Sequence, residues 1–416
     1  MSLALSAALY FIGIDWAAEV HAVCVMDRTG KVKARFTVAH TAAGITGLIR
    51  RLAKLGAAGL SPIAIERPNG RLVDLLLEAG HPVVPVTPNA IKAWREAEVV
   101  SGAKSDAGDA QVIAEYLRLR SHRLRPATGY SDATLAIRTL VRTRGDLVEQ
   151  RVAATNQLSA LLDAHWPGAK TIFADVESDI SLAFLTRYPT AATAAGLDEA
   201  DLAGFLAEHS YSGRRPAAAL LARLRAAPAG ATGGKPGIGV ADAVHAMVTV
   251  LTGLKTAIRS LDRSIAARLD EHPDGKIFTS LPRSGRINAA QILAEWGDCR
   301  QAYDSPDAVA ALAGATPVTK ASGKHAATHF RWACNKRFRQ AITTFADNSR
   351  RENVWAAHIY DRARASGKDH PHAVRILARA WIRVIWRCWH DGVTYDPAHH
   401  IGLQTLKSQV TTNTAA

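Results

Sequence analysis

The sequence predicts a mixed α/β domain, then a long helical segment, then a second domain built of helices. Three observations predict that order. Apolar runs ending on carboxylates, LYFIGID at Leu9 to Asp15 and PIAIE at Pro62 to Glu66, alternate with amphipathic stretches through the first 126 residues. Proline-free helical patterns cover Asp132 to His165 and Val240 to Glu271. From Lys276 onward the helical pattern persists, and six of the nine tryptophans gather there. The expected divisions are residues 1–126, 127–275 and 276–400, with 401–416 as a disordered tail.

A chain of 416 residues with 48% apolar side chains can build several cores. Its 51 Lys and Arg against 37 Asp and Glu leave a net charge of +14, which points to a polyanionic partner, and nucleic acid is the foremost of these. Cys24, Cys299, Cys334 and Cys388 are scattered with no CxxC pair, so a disulfide framework or a cysteine-ligated zinc is not expected. The opening MSLALSAALYFIGID has no basic leading region, and no apolar run reaches membrane-spanning length. These features suggest a cytoplasmic, nucleoid-associated protein with no membrane partner.

Element by element, Leu9 to Asp15 reads as a buried strand, and His21 to Asp27 and Lys31 to Val38 follow as a meander around a turn at Arg28 to Gly30. Thr41 to Leu55 is an amphipathic helix with Ile45, Leu48, Ile49 and Leu52 on one face. Pro62 to Glu66 is a second strand ending on an acid. Helix (Gly70 to Ala79), strand (Pro82 to Val86) and helix (Asn89 to Glu98) complete the α/β alternation. In SGAKSDAGDAQVIAEYLR, Ser101 to Arg118, Ser105 is a suitable N-cap, and Asp106 and Asp109 stand three residues apart on one helix face.

Chemistry in open α/β sheets collects at the carboxyl ends of strands, where Asp15 and Glu66 fall. With Asp106 and Asp109 they make four acids that can converge. Converging carboxylates repel unless cations neutralise them, and hard oxygen donors suit Mg²⁺ or Mn²⁺, which can stabilise charge developing on a phosphodiester.

On FIGIDWA, the strand ending at Glu66 and KSDAGDAQVIAEYL, the chain resembles the DEDD transposases, recombinases of bacterial insertion sequences guided by a structured bridge RNA. The resemblance implies a RuvC-like, ribonuclease-H-type N-terminal domain with Asp15, Glu66, Asp106 and Asp109 as its acidic, metal-binding tetrad. One departure is Arg67, Pro68 and Asn69 after Glu66, where the family has a Thr- and Gly-rich turn.

In Asp132 to His165, Leu135, Leu140, Leu147, Val148, Val152, Leu158, Leu161 and Leu162 form an apolar stripe, while Arg138, Arg142, Arg144 and Arg151 lie among polar positions. Such a helix pairs with another helix of its own chain, Val240 to Glu271 being suited, or with another subunit. Ala227 to Ile238 reads as a flexible loop. Further on, LPRSGRINAAQILA (Leu281 to Ala294) has the pattern of a helix-hairpin-helix, with Arg283 and Arg286 adding charge for a phosphate.

Pro317 to Lys324 reads as a turn-rich loop bearing Ser322 and Gly323, with Lys320 and Lys324 close in sequence. A Ser-Gly in a loop says little alone. In the family that this chain resembles, however, Gly-x-x-Pro followed by Ser-Gly is a second signature, matched by Gly314 to Pro317 and Ser322-Gly323. The resemblance therefore implies that Ser322, in preference to Ser284, is a nucleophile that joins covalently to DNA through a 5′-phosphoserine link. It also implies strand cleavage, exchange and religation at element ends and target, a guide RNA, and a homo-oligomer, dimer or tetramer, completing the active site. Arg331, Lys336, Arg337 and Arg339, then Arg375, Arg379, Arg383 and Arg387 at four-residue steps, are candidate nucleic-acid contacts, with the tryptophans either stacking on bases or filling a core. Two other readings are a metal-dependent junction-resolving nuclease that uses water, and a non-catalytic nucleic-acid scaffold.

Overall fold

The computed structural model describes residues 5, 7–68, 70–98, 105–127, 129–228, 230, 239–322 and 325–414. Chain contacts divide it into two compact units: residues 1–129 with 299–302, and residues 130–298 with 303–416.

In the first unit, β1 (Tyr10–Asp15), β2 (Val20–Asp27) and β3 (Val32–Ala39) form an antiparallel meander. Asp27 shapes the turn between β2 and β3 by accepting from the backbone N–H of Thr29 at 2.9 Å and of Lys31 at 3.0 Å. Helix α1 (Ala42–Ala53) is capped by Thr41 and buries Ile45, Leu48 and Leu52. β4 (Ile63–Ile65), α2 (Arg71–Glu78), β5 (Val83–Pro85), α3 (Pro88–Glu98) and α4 (Asp106–Arg120) follow. The sheet order is β3-β2-β1-β4-β5, and β4 and β5 run parallel to β1. The central strands are apolar on both faces: Ile12, Ile14, Ile63 and Ile65 pack with α1 and α2 residues on one side, and Phe11, Ala64 and Val84 with Val112, Ile113 and Leu117 of α4 on the other. The α/β alternation is thus present as read, and Ser101 to Lys104 lie outside the described residues.

The second unit begins with α5 (Asp132–His165), followed by α6 (Pro167–Thr171), α7 (Asp179–Arg187), α8 (Glu199–Glu208), α9 (Ala217–Ala226) and α10 (Val240–Glu271). Most of the expected loop at Ala227 to Ile238 lies outside the described residues. Helices α5 and α10 pack antiparallel within the chain: Ile137 and Val141 share a core with Ile265 and Leu269, while Leu158 and Leu162 share another with Val244 and Val248. Between Val141 and Ala154 no α5 side chain is buried. That stretch carries ion pairs instead, Arg144 to Asp262 and Arg151 to Glu177 (3.5 Å).

Next come α11 (Gly275–Thr279), α12 (Arg286–Trp296), α13 (Pro306–Leu312), strands β6 (Val318–Ser322) and β7 (His325–His329), α14 (Lys336–Ser349), α15 (Val354–Ala365), α16 (His370–Asp391) and α17 (Ile401–Thr414). Here two expectations change. Within the expected loop Pro317 to Lys324, Val318–Ser322 is a strand that pairs antiparallel with His325–His329, while Gly323 and Lys324 lie outside the described residues. Residues 401–414, read as a disordered tail, form α17, whose Leu403 is buried and whose Gly402 lies against Trp355. His400 anchors its start, stacking edge-on to Trp355 at 4.4 Å and bonding the Tyr395 hydroxyl at 2.9 Å.

Glu295 ties this core together. Its 3%-exposed carboxylate takes a two-pronged bond from Arg142 at 2.8 Å, one from Asn335 at 2.6 Å, and pairs with Arg138 at 3.5 Å. Burial pushes its pKa up, but the hydrogen bond from Arg142 and the charge of Arg138 outweigh burial and hold it below the usual glutamate range. Among the described residues no helix is long and apolar enough to cross a membrane.

Candidate active site

Strands β1 and β4 run side by side with Ile14 opposite Ile65, so Asp15 and Glu66, one step further on, end neighbouring parallel strands. Helix α4 brings the other two acids. Ser105 has extended backbone angles, and its hydroxyl accepts from the Gly108 N–H at 3.1 Å, which starts the helix with Asp106 and Asp109 in its first turn. Gly13 sets how closely α4 can lie. A Cβ there would sit 2.1 Å from the Ala110 carbonyl oxygen and 2.4 Å from the Ala114 nitrogen, so backbone meets backbone two residues before Asp15. Ala110 and Ala114, both fully buried, complete that contact.

Asp15 senses the other three acids. Asp15 is pushed up from 3.8 to about 6, first by burial and then by Asp109, Asp106 and Glu66, with Arg95 pulling the other way. Arg95, on α3, is ion-paired with Asp109, which is 8% exposed. Among the described residues no three His, Cys, Asp or Glu side chains are grouped closely enough to hold a metal ion. The donor chemistry still fits a hard divalent cation: all four candidates are carboxylates, and Asp109, Asp106 and Glu66 lie within electrostatic reach of Asp15, adding to the burial that raises its pKa. As the side chains stand, Arg95 supplies part of the compensating positive charge.

Sequence reasoning did not foresee the ring cluster built on Trp16, the residue after Asp15. Arg67 lays its guanidinium 4.1 Å from the centre of the Trp16 ring, so the residue that departs from the family's turn is stacked against the one following Asp15. Trp16 also faces His21 and His40, whose rings share a 2.8 Å hydrogen bond. Burial, then His40, lowers the His21 pKa, which favours the neutral ring at His21. The one available signal was Trp16 itself, a large ring beside an acid at a strand end.

In the second unit, Ser322 is the last residue of β6 and is paired with His325. Gly323 and Lys324 lie outside the described residues, as do the side chains of Ser322 and Lys320. Gly314 holds φ at +66°, and a Cβ there would meet the Cys334 sulfur at 2.7 Å, so the Gly-x-x-Pro turn is packed where only glycine fits. A cavity of about 560 Å³ opens beside the hairpin, lined by Arg331, Arg362, Arg375, Arg379 and Arg383 among others. Three candidate arginines of α16 therefore share one cavity, whereas Arg387 turns away to Asp391 at 2.6 Å. Arg362 joins them from α15, where sequence gave no pattern to single it out.

Other candidates are engaged within the protein. Arg283 reaches Glu352 at 3.9 Å, Arg286 reaches Asp270 at 2.7 Å, and Arg337 reaches Asp146 at 2.7 Å. Arg339 lies over the Phe330 ring at 4.8 Å, and Lys336 is exposed at the start of α14. Ser284 keeps its hydroxyl oxygen buried, with no hydrogen-bond partner.

Comparison with known proteins gives the family. Residues 12–167, which include the four acids, match a DEDD transposase family, and residues 275–361, which include Ser322, match the "Transposase IS116/IS110/IS902 family". The putative transposase for the mini-circle IS117 of Streptomyces coelicolor is 32% identical over 93% of this chain and 95% of its own. The insertion element IS900 uncharacterized 42 kDa protein of Mycobacterium paratuberculosis is 28% identical over 93% of this chain and 97% of its own, and the insertion element IS110 uncharacterized 43.6 kDa protein of Streptomyces coelicolor is 28% identical over 73% and 74%. The chain belongs to the IS110/IS116/IS902 family of insertion-element transposases.

Proposed function

We propose that this transposase is a DNA recombinase that cuts and rejoins strands through a covalent serine link, assisted by a divalent metal held at Asp15, Glu66, Asp106 and Asp109, and directed by a structured RNA. The observation that carries the reading is the placement of Asp15 at the end of β1 with Glu66 just past β4 and Asp106 and Asp109 at the start of α4, where burial first, and then these three acids, raise Asp15 to about 6. A crowded acidic site of that kind suits binding of Mg²⁺ or Mn²⁺. The sheet order β3-β2-β1-β4-β5, with its acids at the carboxyl ends of the central strands, supports a RuvC-like, ribonuclease-H-type domain.

When bound, the metal would offset negative charge building on the scissile phosphate. Ser322 then acts as nucleophile. Its Oγ forms a bond to phosphorus, the bond from phosphorus to the 3′ oxygen breaks, and the serine proton ends on the released 3′ hydroxyl. The 5′-phosphoserine preserves the phosphodiester's bond energy, so a 3′ hydroxyl of a second strand reverses the step and restores the enzyme. Sequence choice rests with the RNA, and arginines grip backbones without reading bases. The assembly is a homo-oligomer.

The test is incubation of protein, Mg²⁺, labelled element-end DNA and RNA co-purified from the host, followed by denaturing electrophoresis. A protein-DNA adduct formed by wild type and absent from Ser322→Ala and Asp15→Ala is the expected result. Cleavage without adduct, unchanged in Ser322→Ala, would establish a hydrolytic nuclease instead.

A further inference from the structure

Of the six tryptophans beyond Lys276, Trp296, Trp381 and Trp389 are buried to 1% or less, and Trp355 and Trp386 pack against the same core. Trp332 alone among them stands out, 76% exposed. It meets Phe330 edge-on, ring centres 4.9 Å apart, and Phe330 lines the cationic cavity. Arg375 and Arg339 both lie over the Phe330 ring, at 4.9 and 4.8 Å.

The cavity carries more positive charge than its surroundings compensate. Among the described residues five arginines line it and no acid does; Asp307 is shared between Arg379 at 3.0 Å and Arg383 at 3.6 Å. Burial opposes the charge on Arg375, Asp369 favours it, and Arg339 opposes it again. An arginine cannot shed its proton in response, so the surplus calls for an anionic ligand. Its volume lies within the about 300–1,000 Å³ of small-ligand sites, which suits a single nucleotide unit and is too small for a duplex.

We propose that Trp332 and this cavity together bind a single-stranded or locally unpaired segment of nucleic acid, one base stacking on Trp332 while neighbouring phosphates enter among Arg331, Arg362, Arg375, Arg379 and Arg383. A base inside a duplex has both faces covered by its neighbours and offers nothing to an exposed ring; an unpaired base does. DNA and RNA share this chemistry. The inference rests on the reading of the second unit as nucleic-acid-binding, and it adds a preference for unpaired strands.

The test measures fluorescence anisotropy of short labelled oligonucleotides with the full chain: single-stranded DNA, single-stranded RNA of the same sequence, and duplex DNA. Removing an exposed ring deletes no core contact, so Trp332→Ala should fold as wild type. It is expected to weaken single-strand binding about tenfold or more while duplex binding hardly moves, and Trp332→Phe should restore most of the loss. The strand that suffers the larger loss identifies DNA or RNA as the natural occupant. Arg383→Gln should lower the slope of log Kd against log salt by about one. Unchanged single-strand binding in Trp332→Ala, or an equal drop on duplex, would overturn the proposal. Wild-type protein that binds neither strand nor duplex would overturn the broader nucleic-acid reading as well.

Discussion

Replacing Asp15 by Asn removes a negative charge from a place where the native fold gathers four carboxylates, and it should make the metal-free protein more stable. Burial, then Asp109, Asp106 and Glu66, raise Asp15 from 3.8 to about 6, against the pull of Arg95. At about 1.4 kcal/mol per tenfold change in proton affinity, that difference corresponds to about 3 kcal/mol for a fully shielded group. Asp15 is only half-buried, so solvent screening reduces the figure to about 1–2 kcal/mol. The sign follows from where the proton is held. Below about pH 4 both folded and unfolded chains carry it; between about 4 and 6 the unfolded chain releases it more readily, so native stability falls as pH rises, and above 6 the deficit is constant. Asn never ionises and escapes that decline. Urea unfolding in chelator should therefore show Asp15→Asn more stable than wild type by about 1–2 kcal/mol near pH 8 and indistinguishable near pH 4. Added Mg²⁺ should narrow the gap by stabilising wild type. A variant no more stable at pH 8, or a gap independent of pH, would refute the crowding argument.

Gly13→Ala should cost about 1–3 kcal/mol in the same unfolding assay, because its Cβ would meet the Ala110 carbonyl and Ala114 nitrogen and α4 must move away. Adduct formation should fall by more than the stability loss explains, since Asp106 and Asp109 move with that helix; full activity at wild-type stability would contradict the contact. Glu295→Ala should lower stability by about 3–5 kcal/mol by leaving Arg138 and Arg142 without their shared carboxylate, as read from the thermal midpoint.

The sequence makes legible what rests on local periodicity and caps. Ser105 capping Gly108, the strand ending at Asp15, and the bounds of α5 and α10 all follow from side-chain spacing within a few turns. What escaped depends on partners distant in sequence. Pro317 and Ser322-Gly323 carry turn chemistry, which concealed the pairing of Val318–Ser322 with His325–His329. The helix after His400 is held at its start by a buried histidine against Trp355, a contact with no local signal. Within the acidic site, Arg95 looks like any polar residue on an amphipathic helix until α3 brings it to Asp109. Gly13 was visible as a glycine inside an apolar strand, a pattern that often marks close backbone approach; the residue it approaches was not.

Helix α5 takes part in both cores of the second unit, through Ile137 and Val141 at one end and Leu158 and Leu162 at the other. Its 34 residues make a strut about 50 Å long. Apolar clamps grip the strut at its ends, whereas the middle is fastened to its surroundings by Arg144 with Asp262 and Arg151 with Glu177. Salt weakens such charge pairs and leaves apolar clamps largely untouched. The charge pairs at the middle of the α5–α10 hairpin are thus the part of its fastening that ionic strength can reach, while the apolar clamps at its ends hold in any salt.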